Sequence, residues 1–243
     1  MSNNMDKAKI NKRDKNKIGA SLEESLHHMR QEYSPTPLTK ENMHRDPFIQ
    51  FNNWFKEALE HEESEVNAMV IATSNKSGEP SARVVLLKSY SKDGFIFFTN
   101  YNSRKGKDIK QNNKVSLLFF WTNTMRQVRI EGVAAKIAPQ ESDQYFNSRP
   151  IANQASSALS KQSEPLLETE EFEKAVAKLE NSSNIIERPS YWGGYLVKPH
   201  TFEFWQGGLG RSHDRFLYTQ QATADSKPQE QSKDRYKIER LYP

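Results

Sequence analysis

Three stretches carry residues whose types and spacing could do chemistry. The first is Asn100-Tyr-Asn-Ser-Arg-Lys-Gly-Lys-Asp-Ile-Lys, where Arg104, Lys105 and Lys107 set three cations in four positions at the start of a predicted short helix. Such a start suits a phosphate dianion: free backbone N–H groups, the positive end of the helix dipole, the Ser103 hydroxyl and the Arg104 and Lys105 cations all favour it. The competing reading is a solvated helix face, the usual fate of a charge run. The second stretch is Tyr145-Phe-Asn-Ser-Arg-Pro. It ends a helix predicted over 139–148, so Tyr145 and Arg149 fall at i and i+4 on one face, a phenol above a guanidinium. The third is Arg211-Ser-His-Asp-Arg. Taken alone, Arg149 before Pro150 reads as a surface cation, His213 beside Asp214 as a structural hydrogen-bonded pair, and Trp205 as a core aromatic.

Composition removes several chemistries. The 243 residues contain no cysteine, which excludes disulfides, thiolate metal ligands and a cysteine nucleophile, and fits a reducing compartment. The six histidines, His27, His28, His44, His61, His200 and His213, show no zinc-type spacing, so no metal is expected. Lys plus Arg is 35 against 31 Asp plus Glu, a formal charge of +4. Residues 1–17 hold Lys7, Lys9, Lys12, Arg13, Lys15 and Lys17 against Asp6 and Asp14, which accounts for all of that charge. A basic tail on a neutral body does not make a phosphate-tracking face, so nucleic acid is not an expected partner. No apolar run approaches the roughly 20 residues of a membrane span, and residues 1–17 lack the apolar core of a secretory signal. The expectation is a soluble cytoplasmic protein with no membrane partner.

The elements that must position these residues centre on 81–137. Val84 to Leu87, Phe95 to Thr99 and Val115 to Trp121 are apolar runs of strand length, and a fourth strand runs on towards Ile137; Arg83, Lys88, Gln127 and Arg129 sit at the ends of these runs. Lys92-Asp93-Gly94 and Thr122-Asn123-Thr124 provide tight reversals. Strict alternation puts Arg83 and Lys88 on opposite faces, so a bulge or service to different ligands is required. A strand is predicted over 67–74, and further strands over 191–198, 201–205, 215–219 and 236–241. Helices are predicted over 21–33, with Ser21 and Glu24 as a capping box, from Pro47 with an aromatic face of Phe48, Phe51, Trp54 and Phe55, and over 165–179. The stretch 151–161 is small and polar. Residues 1–19 read as a disordered basic tail and 220–233 as a flexible loop, leaving 20–243 as a single α+β domain built on a β-barrel.

Five motifs, in order, carry a resemblance: the central block, Tyr145-Phe-Asn-Ser-Arg-Pro, Ser160-Lys-Gln-Ser, Pro189-Ser-Tyr-Trp-Gly-Gly with Phe204-Trp-Gln-Gly-Gly, and Arg211-Ser-His-Asp-Arg. Together they resemble the pyridoxine (pyridoxamine) 5′-phosphate oxidases, from about Arg30 to Pro243. The resemblance implies an FMN-binding split β-barrel with flanking helices, a homodimer with flavin sites at the subunit interface, and oxidation of pyridoxine or pyridoxamine phosphate to pyridoxal phosphate with dioxygen as acceptor and hydrogen peroxide as product. Carried over by position, Arg83, Val84, Val85, Leu86, Leu87, Lys88, Phe98, Thr99, Arg104, Lys105, Gln127, Gln162, Ser163, Trp205 and Arg215 would hold FMN. Lys88, Tyr145, Arg149 and Asn153 would take the substrate phosphate, Arg211 and His213 its ring as the catalytic pair, and Arg30 with Tyr33 would form a lid. The chain departs from the family pattern at Asn153, usually Ser, and Ser212, usually Leu. The rival is a non-catalytic split-barrel protein that binds flavin or pyridoxal phosphate; the presence of Arg211 and His213 speaks against it.

Overall fold

The computed structural model describes residues 36–61, 64–221 and 235–243. The predicted helix over 21–33 with Arg30 and Tyr33, the tail 1–19 and most of the 220–233 loop lie outside the described residues.

Helix α1, Pro47–His61, opens where expected: the Phe48 N–H donates to Asp46 Oδ1 at 2.8 Å, a side-chain cap on one of the helix's orphan donors. Its apolar stripe plugs the barrel. Phe51 is fully buried and meets Tyr90, Phe95 and Phe119 edge-on, at centroid distances of 5.0, 5.0 and 5.1 Å. Burying such a side chain stabilises the fold by about 1.5–3 kcal/mol.

The strands are β1 (Ala68–Ser74), β2 (Pro80–Leu86), β3 (Ser89–Ser91), β4 (Gly94–Asn100), β5 (Lys114–Trp121), β6 (Arg126–Lys136), β7 (Trp192–Gln206), β8 (Asp214–Gln220) and β9 (Tyr236–Arg240). All pairings are antiparallel, in the order β2-β1-β5-β6-β7-β4-β3, with β8 on β7 and β9 on β8. Period-2 alternation sends Met69, Ile71 and Thr73 of β1, and Val115, Leu117, Phe119 and Trp121 of β5, into one core. Strand β7 is the spine. One edge pairs with β6, while the other pairs first with β4 (Trp192 to Val197) and then with β8 (Thr201 to Gln206). That fork makes the sheet an α+β split barrel.

The remaining helices are α2 (Arg104–Gln111), α3 (Pro139–Asn147), α4 (Ile151–Leu159) and α5 (Thr169–Glu180). Four expectations are corrected. The strands predicted over 191–198 and 201–205 are one 15-residue strand that runs through Pro199. A register shift between Glu131 and Gly132 accommodates the residue that lacks an N–H, and Pro199 faces Gly132 there. The polar stretch 151–161 is largely helix α4, whose small residues bury only Ala155 and so show no apolar stripe. Helix α5 begins at Thr169 rather than Pro165; Leu166 and Leu167 are exposed, so no burial draws the earlier turn into the helix. Helix α3 stops at Asn147, with Ser148 as its C-cap, so Arg149 is beyond it and not on a shared helical face with Tyr145.

Candidate functional site

The helix start predicted at Arg104 forms, but its two cations behave differently. Ser103 caps α2, accepting from the Gly106 N–H, and a side chain at Gly106 would run into the Tyr101 carbonyl, so this turn requires glycine. Arg104 lies exposed, its backbone N–H donating to Ser163 Oγ at 3.2 Å. Lys105 is only 7% exposed. Its ammonium donates to Gln162 Oε1 (3.0 Å), Thr99 Oγ1 (3.1 Å) and Ser103 Oγ (3.4 Å), all neutral oxygens. Burial, with Arg83 as a second cause, holds its pKa down to about 8. A desolvated cation solvated only by neutral groups is a site for an anion.

Lys105, Thr99 and Gln162 line a cavity of about 550 Å³ together with Val84, Val85, Leu86, Lys88, Phe98, Tyr145, Arg149 and Asn153. The opposition expected between Arg83 and Lys88 dissolves because β2 ends at Leu86. Leu87, buried, and Lys88 form a junction whose N–H groups donate to Asn67 O and Ile96 O, freeing Lys88 from the strand's alternation. Arg83, Arg104 and Ser163 are not among the lining residues; the Arg83 guanidinium donates to Thr73 Oγ1 and Ser81 Oγ, both at 2.7 Å, and its charge is felt at Lys105.

An aromatic slab separates Lys105 from a second cationic station. Tyr145 stacks on Phe98 at 3.9 Å, and Trp192 lies nearly parallel to both. Arg149 sits 4.7 Å over the Trp192 ring and donates to Ser157 Oγ at 2.9 Å. Burial pushes the Arg149 pKa down, with Tyr145 opposing. Trp192, Ser156, Ser157 and Ser160 were not among the expected site residues, yet all four line the cavity. Asn153, Ser156, Ser157 and Ser160 have the spacing i, i+3, i+4, i+7, a signal that becomes visible once 151–159 is read as helix.

The remaining candidates lie elsewhere. Gln127, Trp205 and Arg215 form one row across β6, β7 and β8. Arg215 donates to Glu203 Oε1 (2.8 Å) and to the Tyr242 carbonyl (3.0 Å); the bond to Glu203 raises its pKa further. Beyond the row, Arg211 is exposed, and His213 packs 4.7 Å from Trp205 with the Gly208 N–H donating to its Nδ1. Ser212 is exposed on the same turn, and its carbonyl leaves no room for a side chain at Gly208. Arg211 (φ 64°) and Ser163 (φ 75°) are held in the left-handed region, strain that collects at functional sites. Thr99 pairs with Gly193 and Gln127 with Trp205, twelve residues further along β7, a rise of up to about 40 Å. The candidate residues of one protomer thus fall into two groups, candidate half-sites, at opposite ends of its longest strand.

Residues 55–183 match the family model described as pyridoxamine 5′-phosphate oxidase. The chain belongs to the pyridoxamine 5′-phosphate oxidase family. Residues 192–243 match the model of the pyridoxine 5′-phosphate oxidase C-terminal dimerisation region, which takes in Trp205, Arg211, His213 and Arg215. The pyridoxine/pyridoxamine 5′-phosphate oxidase of Rubrobacter xylanophilus is 46% identical over 195 residues, covering 79% of this chain and 90% of that one. That of Crocosphaera subtropica is 47% identical over 203 residues, covering 82% and 94%. Among solved structures, PhzG from Burkholderia lata in complex with tetrahydrophenazine-1-carboxylic acid aligns with a TM-score of 0.78 at 27% identity, covering 87% of this chain and all of that one. A pyridoxamine 5′-phosphate oxidase-related, FMN binding protein from Nostoc punctiforme shares the fold, at a TM-score of 0.62 and 16% identity, covering 79% and 97%. Among the described residues, no helix is long and apolar enough to cross a membrane.

Proposed function

We propose that this chain is an FMN-dependent oxidase that converts pyridoxine 5′-phosphate or pyridoxamine 5′-phosphate to pyridoxal 5′-phosphate, working as a homodimer whose sites combine the two half-sites described above. The observation that carries the reading is one cavity with two cationic stations, Lys105 at one and Arg149 at the other, separated by the Phe98, Tyr145 and Trp192 rings. A flavin phosphate and a substrate phosphate each need such a station.

The donor set fits FMN. Lys105, Arg104, Ser163, Gln162 and Arg83 would hold its phosphate, with Thr99 and the backbone of 84–88 alongside. Gln127, Trp205 and Arg215 of the partner protomer would meet its ring. When bound, FMN supplies the two-electron oxidation of the substrate's 4′ carbon, with dioxygen as acceptor and hydrogen peroxide as product. The chain's own work is placement. Lys88, Tyr145, Arg149 and Asn153 bind the substrate phosphate, and the Asn153 amide can donate where the family usually has a serine hydroxyl. Arg211 lies over the pyridine ring. His213, whose Nδ1 accepts from the Gly208 N–H, polarises the 4′ substituent. Positioning of this kind lowers the barrier by prepaid entropy.

PhzG, in its complex, holds a carboxylic acid; the placement of Lys88 and Arg149 along one cavity favours a phosphate monoester here. The test is spectroscopic. Purified protein is expected to be yellow and to bleach when pyridoxamine phosphate is added without oxygen. A yellow protein that never bleaches is a flavin carrier, and one that takes up no FMN ends the proposal.

A further inference from the structure

Behind Arg83 lie two buried polar residues that none of the ligand assignments uses. Thr73, on β1, and Asp108, on α2, are 3% and 7% exposed. The Thr73 hydroxyl donates to Asp108 Oδ2 at 2.7 Å and accepts from Arg83 Nη1 at 2.7 Å. Arg83 Nη2 donates to Ser81 Oγ and stands 4.0 Å from Asp108 Oδ2. The register explains the meeting. Ile71 faces Arg83 and Thr73 faces Ser81, so Arg83 reaches diagonally across the sheet to a residue two positions along β1. Helix α2 then sets Asp108 one turn beyond Arg104, on its buried side.

The arrangement is odd for an anion site. Asp108 puts a buried negative charge behind three cations, Arg83, Arg104 and Lys105, where Coulomb's law alone would have it weaken phosphate binding. Something must offset that. Burial pushes the Arg83 pKa down, Asp108 opposes it, and repulsion from Arg104 adds a smaller push down. A long guanidinium with no acid behind it would swing to solvent, away from its like-charged neighbours.

Building on the FMN reading above, we propose that Thr73 and Asp108 are positioning residues that aim Arg83 at the flavin phosphate, with Thr73 as the hydrogen-bonding link and Asp108 as the charge that holds the guanidinium inside. Neither touches the cofactor. Their effect therefore falls on the phosphate and not on the ring, which separates this role from a general structural one.

The test compares FMN with riboflavin, which lacks the phosphate, by fluorescence quenching on titration into apoprotein. Wild-type protein that binds FMN no more tightly than riboflavin would end the cofactor reading itself, before any variant is made. Given that preference, Thr73→Val is expected to bind FMN about tenfold more weakly, the low end of what a hydrogen bond to a charged group contributes, with riboflavin unchanged. Thr73→Ser, which keeps the hydroxyl, is expected to restore FMN binding to within about twofold of wild type, since its oxygen offers the same donor and acceptors. Should the valine not fold, Asp108→Asn keeps an acceptor for Thr73 and removes only the charge; FMN is expected to weaken at least about threefold, part of the same charged-group contribution. Wild-type FMN affinity in folded Thr73→Val or Asp108→Asn, an equal loss for riboflavin, or a Thr73→Ser variant as weak as the valine overturns the proposal.

Discussion

Lys105 should make flavin loading depend on pH, and the size of the effect follows from its surroundings. A buried ammonium with only neutral oxygens around it has its pKa held down to about 8. A phosphate dianion binds the charged form. If only that form binds, the observed Kd grows as one plus ten to the power of pH minus the pKa: about 1.1-fold at pH 7, twofold at pH 8 and elevenfold at pH 9. Stability of the apoprotein moves the other way. The folded pKa lies below the 10.5 of an ordinary lysine, so between about 8 and 10.5 the unfolded chain holds the extra proton and the apo fold gains stability as pH rises. The assay is FMN titration of apoprotein from pH 7 to 9, a range in which the phosphate stays dianionic. Lys105→Met should weaken FMN about 10- to 150-fold at pH 7, the cost of a charged hydrogen bond, and should flatten the profile. A wild-type Kd that does not change between pH 7 and 9, or a methionine variant that keeps the slope, refutes the assignment of Lys105 to the phosphate.

Two further outcomes are expected. Arg211→Met should lower kcat/KM roughly 10- to 150-fold through loss of a charged contact, with flavin content and thermal midpoint near wild type; loss of flavin with normal turnover of the remaining holoenzyme would make Arg211 structural. Lys105→Met and Arg215→Met damage opposite half-sites, so when inactive homodimers of each exchange subunits at random, half the dimers are mixed and each has one intact site, about a quarter of wild-type activity. No recovery in a verified mixture would show that both half-sites of one active site come from the same chain.

Much of this was legible in the residues. The alternation of β1 and β5, the Asp46-Pro47 start of α1 and the Gly94 turn each have a local cause that survives folding: period, cap and positive φ. The capped start of α2 was legible, but not the different placement of its cations. Arg104 and Lys105 read alike in sequence. Only the turn at Ser103 and the packing of α2 send Lys105 inward to Thr99 and Gln162 while Arg104 stays exposed. Helix α4 escaped notice because a helix that lines a polar cavity lacks the apolar stripe by which helices are recognised. Trp192 read as part of a glycine motif. Its neighbours Gly193 and Gly194 are there for close approach, since side chains would meet Tyr101 and Ile137, and that approach brings the indole beneath Arg149.

What no local pattern could disclose is the separation of the half-sites, because it is a property of β7's length. A strand that pairs with β4 at its start and β8 at its end cannot bring those two ends together within one barrel. On the proposed function a two-fold axis would do so, setting the start of one copy's strand against the end of the other's and completing two sites with one self-complementary contact. The same geometry ties cofactor to assembly. On the proposed function a ligand gripped by Lys105 of one protomer and Arg215 of the other would bind only the dimer, so by mass action FMN should hold the protomers together, and dilution should release flavin and subunits in the same concentration range.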